Sequence, residues 1–342
     1  MRWLTRDDLG AAGRGAGGLL VVSPDAASVF PLGEQDAALT GAALKAAGVG
    51  PSDRVVVALA EPAGSLWAGA AAGVAAAAAS VGPRGRLRLH HALSALGATT
   101  LVATPTGAMD FLARLHLEFL LDPLDLGLRH LVLTGEIAAR RTLSHLASEF
   151  EATVTEVLSS PFSGGALACR TAQEEAFAPL AADTLALAAP GKDAFEHGEH
   201  AEVVLTPRGH PVLGDAVLRT GYVSGGGLAP EHTVGEHVLV RGVWVSLPRL
   251  EKALSKIDGV SGWELTISRQ GTLDAAVLTV SFARQSLVGN PMWKGRVTQA
   301  LQALTPVSIE VEIAREAAES AVAGVVTDLR GHHLGRDRAL LA

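Results

Sequence analysis

The sequence predicts an α/β fold: a mostly parallel sheet with flanking helices, then a loop-rich antiparallel section, then a small ferredoxin-like α+β C-terminal domain. Three observations predict it. From Val55 to Leu158 short apolar runs alternate with helix-periodic stretches, the pattern of parallel strands joined by crossover helices. From Ser159 to Ala229 the alternation gives way to loops and hairpin-like pairs of runs. After Thr233 the apparent order of elements is β-α-β-β-α-β.

Each element has a local reason. Leu19 to Val22 is a short apolar run ahead of a Ser23-Pro24-Asp25 turn, and Glu34 to Ala47 carries Ala38, Leu39, Ala42, Ala43 and Ala46 at helical spacing before Gly48 stops it. Val55 to Leu59 is a buried strand. The Ala/Gly-rich run Leu66 to Val81 is too short and too weakly hydrophobic for a membrane span and is expected to be one close-packed buried helix. Helices at Leu89–Leu96, Ala108–Leu120 and Ala138–Phe150 then alternate with strands at Thr99–Ala103, Leu131–Leu133 and Thr153–Leu158. Glu202–Thr206 and Ala216–Arg219 flank a hairpin-like connection, and Gly225 to Gly227 forms the expected hinge between residues 1–230 and a second domain, 231–342. In that second part Val238–Val240 and Val243–Val245 flank Arg241-Gly242. Ser246 caps a helix with Pro248 in its first turn, running to Asp258-Gly259. Strands at Glu264–Ser268 and Ala276–Phe282, a helix capped by Asn290, and a strand at Ser308–Ile313 complete it.

Composition narrows the function classes. With 342 residues, 48% hydrophobic and 18% charged, the chain has core material for two domains. A net charge of −7 without a Lys/Arg cluster argues against nucleic-acid and membrane-surface partners, and leaves small acidic ligands, a homodimer or a partner protein. One cysteine, Cys169, and an N-terminus without a secretory pattern point to the cytoplasm. Gly13, Gly15 and Gly18 meet a G-x-G-x-x-G count but precede a strand instead of following one, so they read as a terminal loop. Glu196, His197, Glu199 and His200 lack the helical spacing of a zinc site, and no metal is expected.

Several phrases together resemble the phenylacetate-CoA ligase branch of the adenylate-forming, AMP-binding acyl-CoA synthetases. RGVWVSLPRLE from Arg241 to Glu251 is similar to the family's RGVNVFPxxIE, with Trp244 in place of Asn. AAGVGPSDRVVVALA resembles the phrase that follows the phosphate loop. GLRHLVLTGE resembles a strand ending in a Gly-Glu pair, here Gly135 and Glu136, and Arg219-Thr220-Gly221 resembles the start of RTGD. VVTDLR resembles RVxDLR at Val326, Asp328, Leu329 and Arg330.

The resemblance implies ATP with Mg and CoA as cofactors and a carboxylic acid or acyl-CoA as ligand. It implies a cofactor-binding set of Gly135, Glu136, Thr220, Gly221, Arg241 and Gly242. The chemistry also needs a glycine-rich phosphate loop, an acid for the ribose hydroxyls and a lysine that stabilises charge between carboxylate and phosphate. At the corresponding positions stand VVSPDAASVFPL, Tyr222 for the Asp of RTGD, Ala168 for a paired acid, Thr233-Val234-Gly235-Glu236 for Arg-x-Asp-Asp, and Val322 for the lysine. Sequence therefore favours a degenerate ligase-like protein retained for binding an acyl or aryl ligand, a CoA thioester or a partner protein. The alternative is an active aryl/acyl-CoA ligase with substituted catalytic groups, for which Arg219, Glu136, Glu236 and Arg241 are the candidates; a third reading is an unrelated activity on the same fold.

Overall fold

Alternate residues of the strands Arg54–Ala58, Thr100–Ala103 and His130–Thr134 enter two different cores, which is why both faces of their sheet carry helices. Val56, Leu101, Leu131 and Leu133 pack with Leu89 and Leu93, Phe111 and Leu112, and Leu143 and Leu146 from the helices Arg86–Leu96, Pro105–Arg114 and Arg140–Glu149. Val55, Val57, Val102 and Val132 pack on the other side with Ala43, Leu44, Trp67 and Ala71, from the helices Glu34–Ala46 and Ala63–Ala72. The computed structural model describes every residue except 13–15, 25–27, 175, 199, 209, 211, 319–323 and 342. Gly13, Gly15, Glu199, Val322 and part of VVSPDAASVFPL fall outside the described residues.

The sheet has seven strands in the order Ala178–Pro179, Ala166–Thr171, Thr153–Ser159, His130–Thr134, Thr100–Ala103, Arg54–Ala58, Ala77–Ser80. The last five are parallel to one another, and the first two are antiparallel additions. A second sheet joins Arg2–Leu4, Ala216–Ser224, Ala201–Leu205 and Leu185–Ala188, with His232–Thr233 on the free part of Ala216–Ser224. The antiparallel section expected after Ser159 is present, and the fold class is as the sequence predicts.

Three local expectations are corrected. The alanine run is not one helix. It is helix over Ala63–Ala72, turns at Gly73, and returns as the edge strand Ala77–Ser80 in parallel register with Arg54–Val57. A run of small residues has no period of its own, so the open sheet edge decides. The helix expected over Ala108–Leu120 starts earlier, at Pro105 behind the Thr104 cap, and its last turn, Leu115–Phe119, widens to a π-helix. The helix after Ser246 ends at Leu254.

The C-terminal part differs in strand usage. Val243–Ser246 does not join the final sheet; it pairs with His237–Val240 as a two-stranded hairpin. The hairpin turns at Arg241 and Gly242, with φ of 52° and 73°, a two-residue turn that costs little loop entropy. The final sheet runs Ile309–Ile313, Leu273–Phe282, Val260–Gln270, Val325–Asp328. The late strand Val325–Asp328 takes the edge beside Val260–Gln270. Hairpin, helix Leu247–Leu254, this sheet and helix Pro291–Leu304 share one core built on Val238, Val245, Leu250, Leu265, Leu278, Trp293 and Val297.

Candidate functional site

Parallel strands point their carboxyl ends to one edge of the sheet, where ligands bind in open α/β folds. Here the residues just past those ends, Leu59, Thr104, Gly135 and Ser160, surround a cavity of about 80 Å³. Ligand cavities commonly measure roughly 300–1,000 Å³. Side chains from other parts of the chain crowd its wall. The Arg6 guanidinium lies 4.9 Å from the Trp244 ring centroid and 5.7 Å from that of Phe162. Tyr222 meets Trp244 edge-on, with centroids 5.1 Å apart and planes at 68°. All four side chains are buried. Burial pushes the Tyr222 hydroxyl far above its ordinary range and so keeps it neutral; Arg6 opposes that shift and Glu136 adds to it.

The sequence-predicted residues divide between two places. Gly135, Arg241 and Gly242 line this cavity. A Cβ on Gly242 would lie 2.8 Å from Thr104 Cγ2 and 3.5 Å from the Gly135 carbonyl oxygen, so the hairpin turn and the Gly135 strand end meet through glycine. Arg241 donates from Nε to the Asp274 carbonyl at 2.5 Å. Glu136, one residue on, accepts from the Thr106 backbone N–H at 2.9 Å and hydroxyl at 2.7 Å. Burial raises its pKa above the usual carboxylate value, the Thr106 hydrogen bonds oppose this, Asp274 adds to it and Arg269 opposes it.

Arg219, Thr220, Gly221 and Glu236 lie behind Trp244, on a separate cavity also of about 80 Å³. A register shift between Val203 and Val204 bulges the strand here and puts Gly221 at φ 80°. Arg219 donates to Glu202 at 2.7 Å, to the carbonyls of Ala189, Pro190 and Lys192, and to Asp193 at 3.1 Å, beneath the Trp3 ring. The Gly221 N–H also goes to Glu202, at 2.9 Å, and the Thr220 hydroxyl to the Val203 carbonyl. Glu236 pairs with Arg336 at 2.7 Å. Each residue of this second set thus has a polar partner within the fold.

A larger cleft, about 590 Å³, opens between the seven-stranded sheet and the C-terminal sheet. Ala58, Leu89, Ala103, Phe119, Val243, Leu273 and Val307 give it apolar walls, while Arg84, Arg86, Arg114 and Arg241 outnumber Asp110 and Glu118 among its charges. Cys169 lies elsewhere, buried in its strand, its thiol pKa raised first by burial and then by Glu174. Among the described residues no three His, Cys, Asp or Glu side chains gather to hold a metal ion, and no helix is long and apolar enough to cross a membrane. Sequence reasoning missed Arg6, Phe162 and Thr104. The one readable sign was Trp244, standing where the family has Asn.

No protein-family model matches the sequence, and no curated protein matches it. Solved structures do match. The chain superposes on 2-hydroxyisobutyryl-CoA ligase in complex with 2-HIB-AMP and CoA in the thioesterification state, with a TM-score of 0.70 at 16% identity, over 88% of this chain and 71% of that one. The fold is that of the adenylate-forming CoA ligases. The ligase's open conformation gives a TM-score of 0.52 at 17% identity, over 91% of this chain and 77% of that one. A malonyl-CoA ligase ternary product complex with methylmalonyl-CoA and AMP gives 0.61 at 17% identity, over 85% and 68%. Both of these ligases carry an AMP moiety and a CoA in their complexes.

Proposed function

We propose that this chain is a degenerate member of the ligase fold, of the phenylacetate-CoA ligase branch, that no longer adenylates carboxylates and instead binds an anionic acyl ligand of the acyl-CoA kind. The observation that carries the reading is the filled strand-end cavity. A nucleotide would have to displace Arg6, Tyr222 and Trp244, which pack against one another around about 80 Å³ of remaining space. The residues there do not fit ATP. Tyr222, neutral and buried, offers no carboxylate to a ribose. The larger cleft fits the ligand class better, because its apolar walls suit an acyl chain and its excess of arginines suits phosphate or carboxylate. On this reading residues 1–230 form a ligase-like domain and 231–342 a small second one, with the cleft between them.

Carboxylate-dependent ATP–pyrophosphate exchange with a panel of aryl and acyl acids tests the loss of chemistry: no exchange above a no-enzyme control is expected, and robust exchange would overturn the reading. Thermal denaturation with acyl-CoA tests the binding. A ligand at about 100 times its Kd stabilises the native state by about 2.7 kcal/mol. The rise in Tm should shrink in Arg114→Glu, which reverses one charge on the cleft wall. An unchanged Tm with every acyl-CoA would remove the ligand assignment.

A further inference from the structure

The chain does not end at its last strand. After Val325–Asp328 it turns at Gly331, φ 76°, and runs back to the sheet that contains Ala216–Ser224. There residues 331–335 lie alongside His232–Thr233. The Thr233 N–H donates to the His332 carbonyl at 2.6 Å, the Leu334 N–H to the Thr233 carbonyl at 2.9 Å, and the Gly235 N–H to the Gly335 carbonyl at 2.9 Å. Thr233 and His333 form a parallel bridge.

Three arginines fasten this return. Arg330 anchors its base, donating to Asp274, to Asp328 at 2.8 Å and to the Leu239 carbonyl at 2.9 Å. Arg336 fastens the returning peptide to the C-terminal part: it donates to Glu236 at 2.9 Å and to Glu251, on the helix Leu247–Leu254, at 2.7 Å. Arg338 lies over Gly235, where a Cβ would come within 2.7 Å of its guanidinium, and reaches Glu202 of the other sheet at 3.4 Å. The same peptide thus holds the C-terminal helix and the N-terminal sheet at once. Two contacts on the opposite side of the cleft, Arg84 to the Pro306 carbonyl and Thr272 to Asp110 at 3.2 Å, need the same relative placement.

We infer that residues 331–338 are a latch that fixes the C-terminal sheet in one position over the seven-stranded sheet, making the cleft between them a standing feature of the fold. The bonds are many and bidentate, and the backbone pairing fixes their register, which distinguishes this segment from a terminus held by a lone surface ion pair.

Paired dyes on Ser144→Cys and Gln302→Cys, exposed positions on helices of the two parts, report the separation by single-molecule energy transfer. The wild-type latch should give one narrow distance population. Arg336→Ala removes a rim side chain and leaves every core residue in place, so it should keep its circular dichroism while the distribution broadens or splits. Amide exchange at Thr233 and Gly235 provides a second readout in the unlabelled chain, slow in the wild type and at least tenfold faster in Arg336→Ala. Two distance populations in the wild type, or a distribution and exchange rates unchanged by Arg336→Ala, would overturn the latch.

Discussion

Gly242 sits at φ 73° with Thr104 Cγ2 against it, so Gly242→Ala meets both a backbone penalty and a clash. A loss of ~1–3 kcal/mol is expected in urea denaturation. Adding Thr104→Ser removes the obstructing methyl and keeps the hydroxyl that caps Gly107, so the double variant should recover part of the loss but not all. Arg219 poses a different problem. Its guanidinium is the chief counter-charge to Glu202, whose side chain is fully buried. Arg219→Ala should cost ~3–5 kcal/mol, measured the same way, because it strands that carboxylate. A cost under ~1 kcal/mol would mean the pair is not the anchor its geometry describes. At this scale the sequence marked Arg219 and Gly242 as noteworthy through family phrases, but it could not say that one is saturated within the fold and the other a contact point.

At the scale of elements, the strands and helices with a clear period were legible: Glu34–Ala46, Arg86–Leu96, Arg140–Glu149 and Pro291–Leu304 all lie within a few residues of their expected bounds. The last of these shows why. Asn290 Oδ1 accepts from the Met292 N–H at 3.0 Å, Pro291 occupies the first turn, and Trp293, Val297 and Leu301 form the buried face. Asn290→Ala should lower stability by ~0.5–2 kcal/mol in thermal or urea unfolding, whereas Asn290→Asp should cost far less. Elements without a period were not legible. The alanine run is divided between helix and strand by the open edge of Arg54–Ala58, and Val243–Ser246 pairs within its hairpin instead of joining the final sheet.

For the whole molecule, two buried histidines set an expectation for acid stability. Burial, reinforced by Arg6 and Arg338, pushes His237 down to about 2, and burial pushes His333 down to about 4 despite Asp328. In the unfolded chain both titrate near 6.5. The unfolded state therefore binds more protons below that value, and their contribution, full above about pH 6.5, is lost as pH falls toward the folded values. Glu136 and Glu156, raised mainly by burial, act with the opposite sign and offset part of the loss as pH approaches the ordinary carboxylate range. The Tm should fall by several degrees between pH 7 and pH 5, and His237→Phe should flatten that slope. A Tm independent of pH over this interval would contradict the burial of both rings. His333 lies within the returning C-terminal segment and His237 is close enough to feel the charge of its Arg338, so the segment's amide protection should weaken over the same interval.

Apolar alternation, caps and turn residues were enough to determine the α/β class, the parallel sheet with its helices, the antiparallel section and the existence of a final α+β unit, because these depend on local period and local hydrogen bonding. The ligase resemblance was also written in short phrases. Only the tertiary structure decided where those phrases sit relative to one another. Whether a strand-end cavity is open or filled depends on Arg6, Phe162, Tyr222 and Trp244 meeting from four distant parts of the chain, and whether the C-terminal sheet is held depends on three arginines finding acids 50 to 140 residues away. Such contacts follow from the path of the backbone, which no local pattern records.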